Sequence, residues 1–97
     1  MKHPDTPVGA VLIRAKMSQR EVATILRCTV LTAHRYVHGT NPTKLNQVRV
    51  DTVVKVLNAL VDSQKLPLKF SSRGADRERR AAAIKKIQLH IDNIIRG

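Results

Sequence analysis

The segment from Met17 to Gly39 constrains the fold of this chain more than any other, because it reads as two short helices with almost no chain between them. Ser18 and Glu21 have the spacing of a capping box, in which each side chain accepts from the other residue's amide, so a helix is expected to start near Gln19. Val22, Ala23 and Leu26 form its inner face, and Ala23 is small enough to let the next helix approach closely. Thr29 is a natural cap for that next helix, which runs to about Val37 and stops before Gly39, a residue free to adopt a left-handed backbone. Ala33, Tyr36 and Val37 point inward from it. The residues between them face outward.

The flanks supply the rest of an all-α fold. Thr6 and Pro7 pair a capping oxygen with a proline at the first helical position, and Val8, Val11, Leu12 and Ala15 follow at helical spacing. Gly39, Asn41 and Pro42 make residues 38 to 46 a loop. A fourth helix is expected over roughly Val50 to Gln64, with Asp51 as its cap and Val53, Val54, Val56, Leu57, Leu60 and Val61 as a broad apolar face. Residues 66 to 74 read as a connection, with a short extended piece at Leu68 to Phe70. The organisation expected is a domain over residues 1–66, a linker over 67–74 and an amphipathic helix over 75–97. In that last helix Ile84, Ile87, Ile91 and Ile94 recur at spacings of three and four, with Ile95 beside them. A stripe so apolar has to be covered. It either folds back on the chain's own body or packs across a two-fold axis, and the second is expected, making Ile84, Ile87, Ile91, Ile94 and Ile95 a dimer interface.

Charge narrows the partners. The 97 residues carry 18 Lys and Arg against 7 Asp and Glu, a formal net charge of +11. A domain with that self-repulsion gains from a polyanionic surface, nucleic acid ahead of anionic membrane. The excess is spread along the chain, with ten basic and four acidic residues in 1–68 and eight and three in 69–97. Tyr36 and Phe70 are the only aromatic residues of the Phe, Tyr, Trp set, which argues against the stacking platforms that bind single strands and favours duplex DNA. The start from Met1 to Asp5 has no apolar signal core, and no run approaches the roughly 18 apolar residues of a membrane span. A cytoplasmic, nucleoid-associated protein is expected. A lone cysteine, Cys28, offers neither a disulfide nor a zinc pattern and reads as a small core residue. His34 and His38 have metal-ligand spacing without an accompanying acid or cysteine pair. No nucleophile–base grouping, paired carboxylates or phosphate-cradling glycine loop is present. Neither an enzyme nor a cofactor, metal or small-molecule site is expected.

From Gln19 to Gly39 the sequence resembles the helix-turn-helix of the lambda repressor and Cro superfamily. Gln19 opens the first helix of the motif, Ala23 is the small packing residue, Leu26 precedes the turn, and Ala33 and Tyr36 are buried positions of the recognition helix. The likeness extends more weakly over residues 7 to 63 through the order of the helices. It departs at Arg27, where the family usually has a left-handed glycine; arginine there costs on the order of 1 kcal/mol. The resemblance implies that Val30, Leu31, Thr32, His34 and Arg35 face the major groove. Arg35 suits the O6 and N7 atoms of guanine, and Thr32 can donate or accept. Val30 and Leu31 either pack on thymine methyl groups or bury in the core. Phosphate contacts are expected from Ser18, Gln19, Arg20, Thr29, His38, Thr40 and Lys44. In the family the counterpart of Gln19 also braces the recognition helix, and Lys2, Lys16 and Arg49 add to the positive field. The implied function is that of a phage- or plasmid-type transcription regulator, a homodimeric repressor of a palindromic operator. Two alternatives stay open: a protein-interaction or antitoxin module that uses the C-terminal helix, and a basic RNA-binding or nuclease-like protein.

Overall fold

A computed structural model describes residues 6–71 and 73–97, apart from the side chain of Leu45. Five helices follow one another: α1 (Pro7–Arg14), α2 (Gln19–Leu26), α3 (Val30–Val37), α4 (Lys44–Asp62) and α5 (Ala75–Arg96). The described residues contain no strand, so the extended piece expected at Leu68 to Phe70 is corrected: Leu68 is instead half-buried against the helical core.

Local chemistry sets most helix ends. The Thr6 hydroxyl accepts the Gly9 amide at 3.0 Å and donates to the Val37 carbonyl at 2.7 Å, so one side chain caps α1 and ties it to the end of α3. At α2 the capping box forms in full, with Ser18 N–H donating to Glu21 Oε1 at 2.9 Å and Glu21 N–H to Ser18 Oγ at 3.1 Å. Thr29 Oγ1 accepts the Thr32 amide at the start of α3. Helices α1, α2 and α4 are each followed by a non-glycine residue in the left-handed region, Lys16 (φ 52°), Arg27 (φ 55°) and Gln64 (φ 64°). At each, a pair of backbone bonds closes the helix end: Cys28 N–H reaches the Ala23 carbonyl and Arg27 N–H the Thr24 carbonyl, and the same pattern recurs at Met17 with Lys16 and at Lys65 with Gln64. This is the Schellman arrangement, which satisfies carbonyls the helix itself leaves unpaired. The turn at Arg27 therefore keeps the left-handed geometry that glycine normally supplies.

The fourth helix differs from expectation at its beginning. It starts at Lys44, six residues before Val50, and its cap is Thr43, whose hydroxyl accepts the Asn46 amide at 3.4 Å. Pro42 lies outside it and interrupts nothing. Asp51 does not cap α4: it sits two turns in, accepting from Gln47 Nε2 at 2.7 Å. The first turns of α4 follow directly on the loop-forming Gly39, Asn41 and Pro42, which hides their start in the sequence, while Asn46 Nδ2 donates to the Tyr36 hydroxyl at 3.1 Å and docks this end on α3.

One core joins all five helices. Val11, Val22, Ile25, Val53, Leu57 and Ile91 are its largest fully buried side chains, with Ala23 and Ala33 between α2 and α3 allowing close approach. Helix α5 lies across α2 and α4, and for three of the five isoleucines expected at a dimer interface the chain's own body is the cover. Ile84 and Ile91 are 3% and 0% exposed within the single chain, and Ile87 is half-buried against the same core. Full burial of such a side chain is worth about 1.5–3 kcal/mol, so covering the stripe internally removes the need for a second copy at these three positions. Ile94 and Ile95, at the end of α5, keep exposures of 46% and 38%.

Candidate nucleic-acid interface

The outer side of α3 presents the residues expected to meet bases. With Ala33, Tyr36 and Val37 turned into the core, Val30 and Leu31 are left 43% and 59% exposed, and His34 and Arg35 are exposed as well. Burial of Val30 and Leu31 in the core, one of the two readings of the sequence, is not what the fold does. Thr32 is half-buried, its hydroxyl 2.9 Å from that of Thr29. Arg35 makes no side-chain hydrogen bond or ion pair among the described residues, so its guanidinium is open to an outside acceptor.

The neighbouring helix braces this surface. Gln19 Oε1 lies 3.2 Å from His34 Nδ1, linking the first residue of α2 to the middle of α3. The His34 and His38 rings lie against each other with centroids 4.2 Å apart. Among the described residues no three His, Cys, Asp or Glu side chains gather as a metal site would require. Ser18, Arg20, Thr29, His38, Thr40 and Lys44 are all exposed, and Gln19 is half-buried. They lie at the starts of α2, α3 and α4 and at or just past the end of α3.

Electrostatically the surface is one-sided. No carboxylate occurs between Glu21 and Asp51, while Arg27, Arg35, Lys44 and Arg49 fall in that interval. Two of these cations are already engaged. Asp92 on α5 accepts from Arg27 Nη2 and from Arg49 Nη2, each at 2.6 Å, and Arg49 also donates to the Ile25 carbonyl at 2.8 Å. Arg49, expected to add to the field, is thus a strut holding α4, α2 and α5 together. The hydrogen bond from Arg27, then that from Arg49, lowers the Asp92 carboxyl to a pKa of about 2 against the opposing effect of desolvation. Asp92 in turn raises the Arg27 guanidinium. Lys2 lies outside the described residues, as does the rest of the start from Met1 to Asp5.

A second polar junction was not legible in the sequence. Arg80 of α5 makes a forked contact with the Glu21 carboxylate and also donates to the Phe70 and Lys16 carbonyls at 3.1 and 3.2 Å. Desolvation works to raise the Glu21 carboxyl, but the bond from Arg80, the Ser18 amide and the Arg80 charge together leave it lowered. Gln88 Nε2 donates to the Thr24 carbonyl at 2.7 Å between these two anchors. The sole signal for such pairing was that Arg80, Gln88 and Asp92 share the isoleucine side of α5 at spacings of eight and four. Cys28 is half-buried against the core, and desolvation raises its thiol pKa.

No protein-family model matches the chain. No curated protein matches it, and no solved structure does. No helix among the described residues is long and apolar enough to cross a membrane.

Proposed function

We propose that this chain is a sequence-specific duplex-DNA-binding transcription regulator of the helix-turn-helix kind resembling the lambda repressor and Cro superfamily, with α3 as its recognition helix. One observation carries the reading: α3 is packed on one side and braced by Gln19, and its opposite side offers Val30, Leu31, His34 and an unengaged Arg35 in a stretch free of carboxylates. A helix of this kind fits the major groove of B-form DNA, where Arg35 pairs with guanine and the two apolar residues meet thymine methyl groups. Ser18, Gln19, Arg20, Thr29, His38, Thr40 and Lys44 set the register on phosphates. As a homodimer the protein occupies a palindromic operator with half-sites about 34 Å apart and represses by excluding polymerase. Leu89, Ile94 and Ile95, exposed on α5, are the residues of that helix left for a second copy.

Selection of bound sequences from a random duplex pool tests this directly. A palindromic consensus is expected, and Arg35→Ala is expected to relax one base position with a loss of about 1–3 kcal/mol of discrimination. Unchanged selectivity in Arg35→Ala combined with Thr32→Ala would remove α3 as the reader. A second reading draws on the same exposed end of α5: a protein-interaction or antitoxin module whose partner covers Leu89, Ile94 and Ile95. A monomer in sedimentation that shows no duplex preference favours it.

A further inference from the structure

We propose that the groove between the start of α2 and the first turns of α5 is a second contact surface for the phosphate backbone of duplex DNA, with Arg77 of α5 joining Arg20 and Lys16. The inference rests on the reading of α3 above and extends it onto a helix outside the motif. The groove is lined by Lys16, Arg20, Arg77 and Arg80, and Glu21 is its one acid. Both Glu21 oxygens are taken by Arg80, so that pair cancels and leaves three cations. Lys16, Arg20 and Arg77 are exposed and make no side-chain hydrogen bond or ion pair among the described residues. Arg80 fixes their spacing, because its bonds to Glu21 and to the Lys16 and Phe70 carbonyls clamp α5 onto α2, and Arg77 lies one turn before it on the same face.

Continuity with the proposed reading face selects the occupant. His34 on α3 touches Gln19, Gln19 adjoins Arg20, and Arg20 shares the groove with Arg77. The three free cations of the groove thus lie where α5 meets the start of α2, the helix whose first residue touches α3. A linear polyanion is their complement, and a strand leaving the major groove beside α3 supplies one in register.

The test is a salt titration of affinity for a duplex containing the selected site and for an unrelated duplex of equal length, using the full chain. Arg77→Ala should reduce the slope of log affinity against log salt by about 0.9, equivalent to a roughly threefold smaller loss of affinity over a fourfold rise in salt, on both duplexes alike. Arg77→Lys should restore the slope. Lys86→Ala, exposed on the side of α5 turned away from the groove, should leave it unchanged. Equal slopes for wild type and Arg77→Ala, or equal reductions by Arg77→Ala and Lys86→Ala, overturn the second surface while Arg35-dependent selectivity still upholds the first. Absence of duplex binding by the wild type overturns both. Tighter binding of an RNA duplex at matched salt overturns DNA as the occupant.

Discussion

Asp92 shows how much one surface carboxylate can organise. Its two oxygens hold Arg27 from the turn between α2 and α3 and Arg49 from α4, so three separate stretches meet at one charge. Its folded pKa of about 2 lies below the ordinary aspartate value near 3.9. The stabilisation it provides is therefore complete above the ordinary value and is lost as pH falls from about 4 towards about 2. Asp92→Asn should lower the urea midpoint at neutral pH and flatten the fall of that midpoint over this acid interval. An unaltered acid profile in the variant would show that the carboxylate contributes nothing through its ionisation. The same residue bears on Arg27, whose backbone occupies a conformation that a side chain disfavours and whose guanidinium is held at the far end.

Among the elements, the helix ends share a common solution with a measurable cost. Three helices stop in Schellman motifs at Lys16, Arg27 and Gln64, and a left-handed residue with a Cβ costs roughly 1–2 kcal/mol. Gln64 makes no side-chain bond among the described residues, so Gln64→Gly should stabilise the protein by about 0.5–1 kcal/mol once the greater chain entropy of glycine is subtracted, read as a higher midpoint in urea with an unchanged slope. Arg27→Gly should gain less, because the bonds to Asp92 are lost with the side chain. The starts of the helices were plain in the sequence wherever a hydroxyl residue stood before an apolar period, as at Thr6, Ser18 and Thr29. The start of α4 was hidden because Gly39, Asn41 and Pro42 just before Thr43 extend the loop pattern over it, while in the fold Asn46 docks this end on α3.

The described residues form a single body in which α5 completes the core that α1 to α4 begin. Ile84 and Ile91 seal the side of α2 and α4, while Arg80, Gln88 and Asp92 bond to the neighbouring helices along the same face. Ile91→Ala should cost about 2–5 kcal/mol, as for other fully buried branched side chains. Since the burial is within one chain, the loss should not depend on protein concentration, which denaturation at two concentrations a hundredfold apart, on the order of 1 and 100 μM, can check. A concentration-dependent loss would place Ile91 between subunits after all. An interface between copies has to be sought elsewhere, and the apolar end of α5 at Leu89, Ile94 and Ile95 is the surface available on that helix.

Whereas the exposure of Val30 and Leu31 was settled by the fold, what the amino-acid order determined by itself was local: capping side chains, the apolar periods of five helices, the short turn before Thr29, and the inward set Ala33, Tyr36 and Val37. These follow from interactions between residues three or four apart, which the chain carries wherever it goes. Only the tertiary structure decided which surface covers the isoleucines, that Arg49 and Arg80 are struts rather than free cations, and that Arg77 shares a groove with Arg20. Apolar periodicity says that a stripe must be buried but carries no address for its partner, and a charge is spent or free according to neighbours that lie 43 to 65 positions away in the chain.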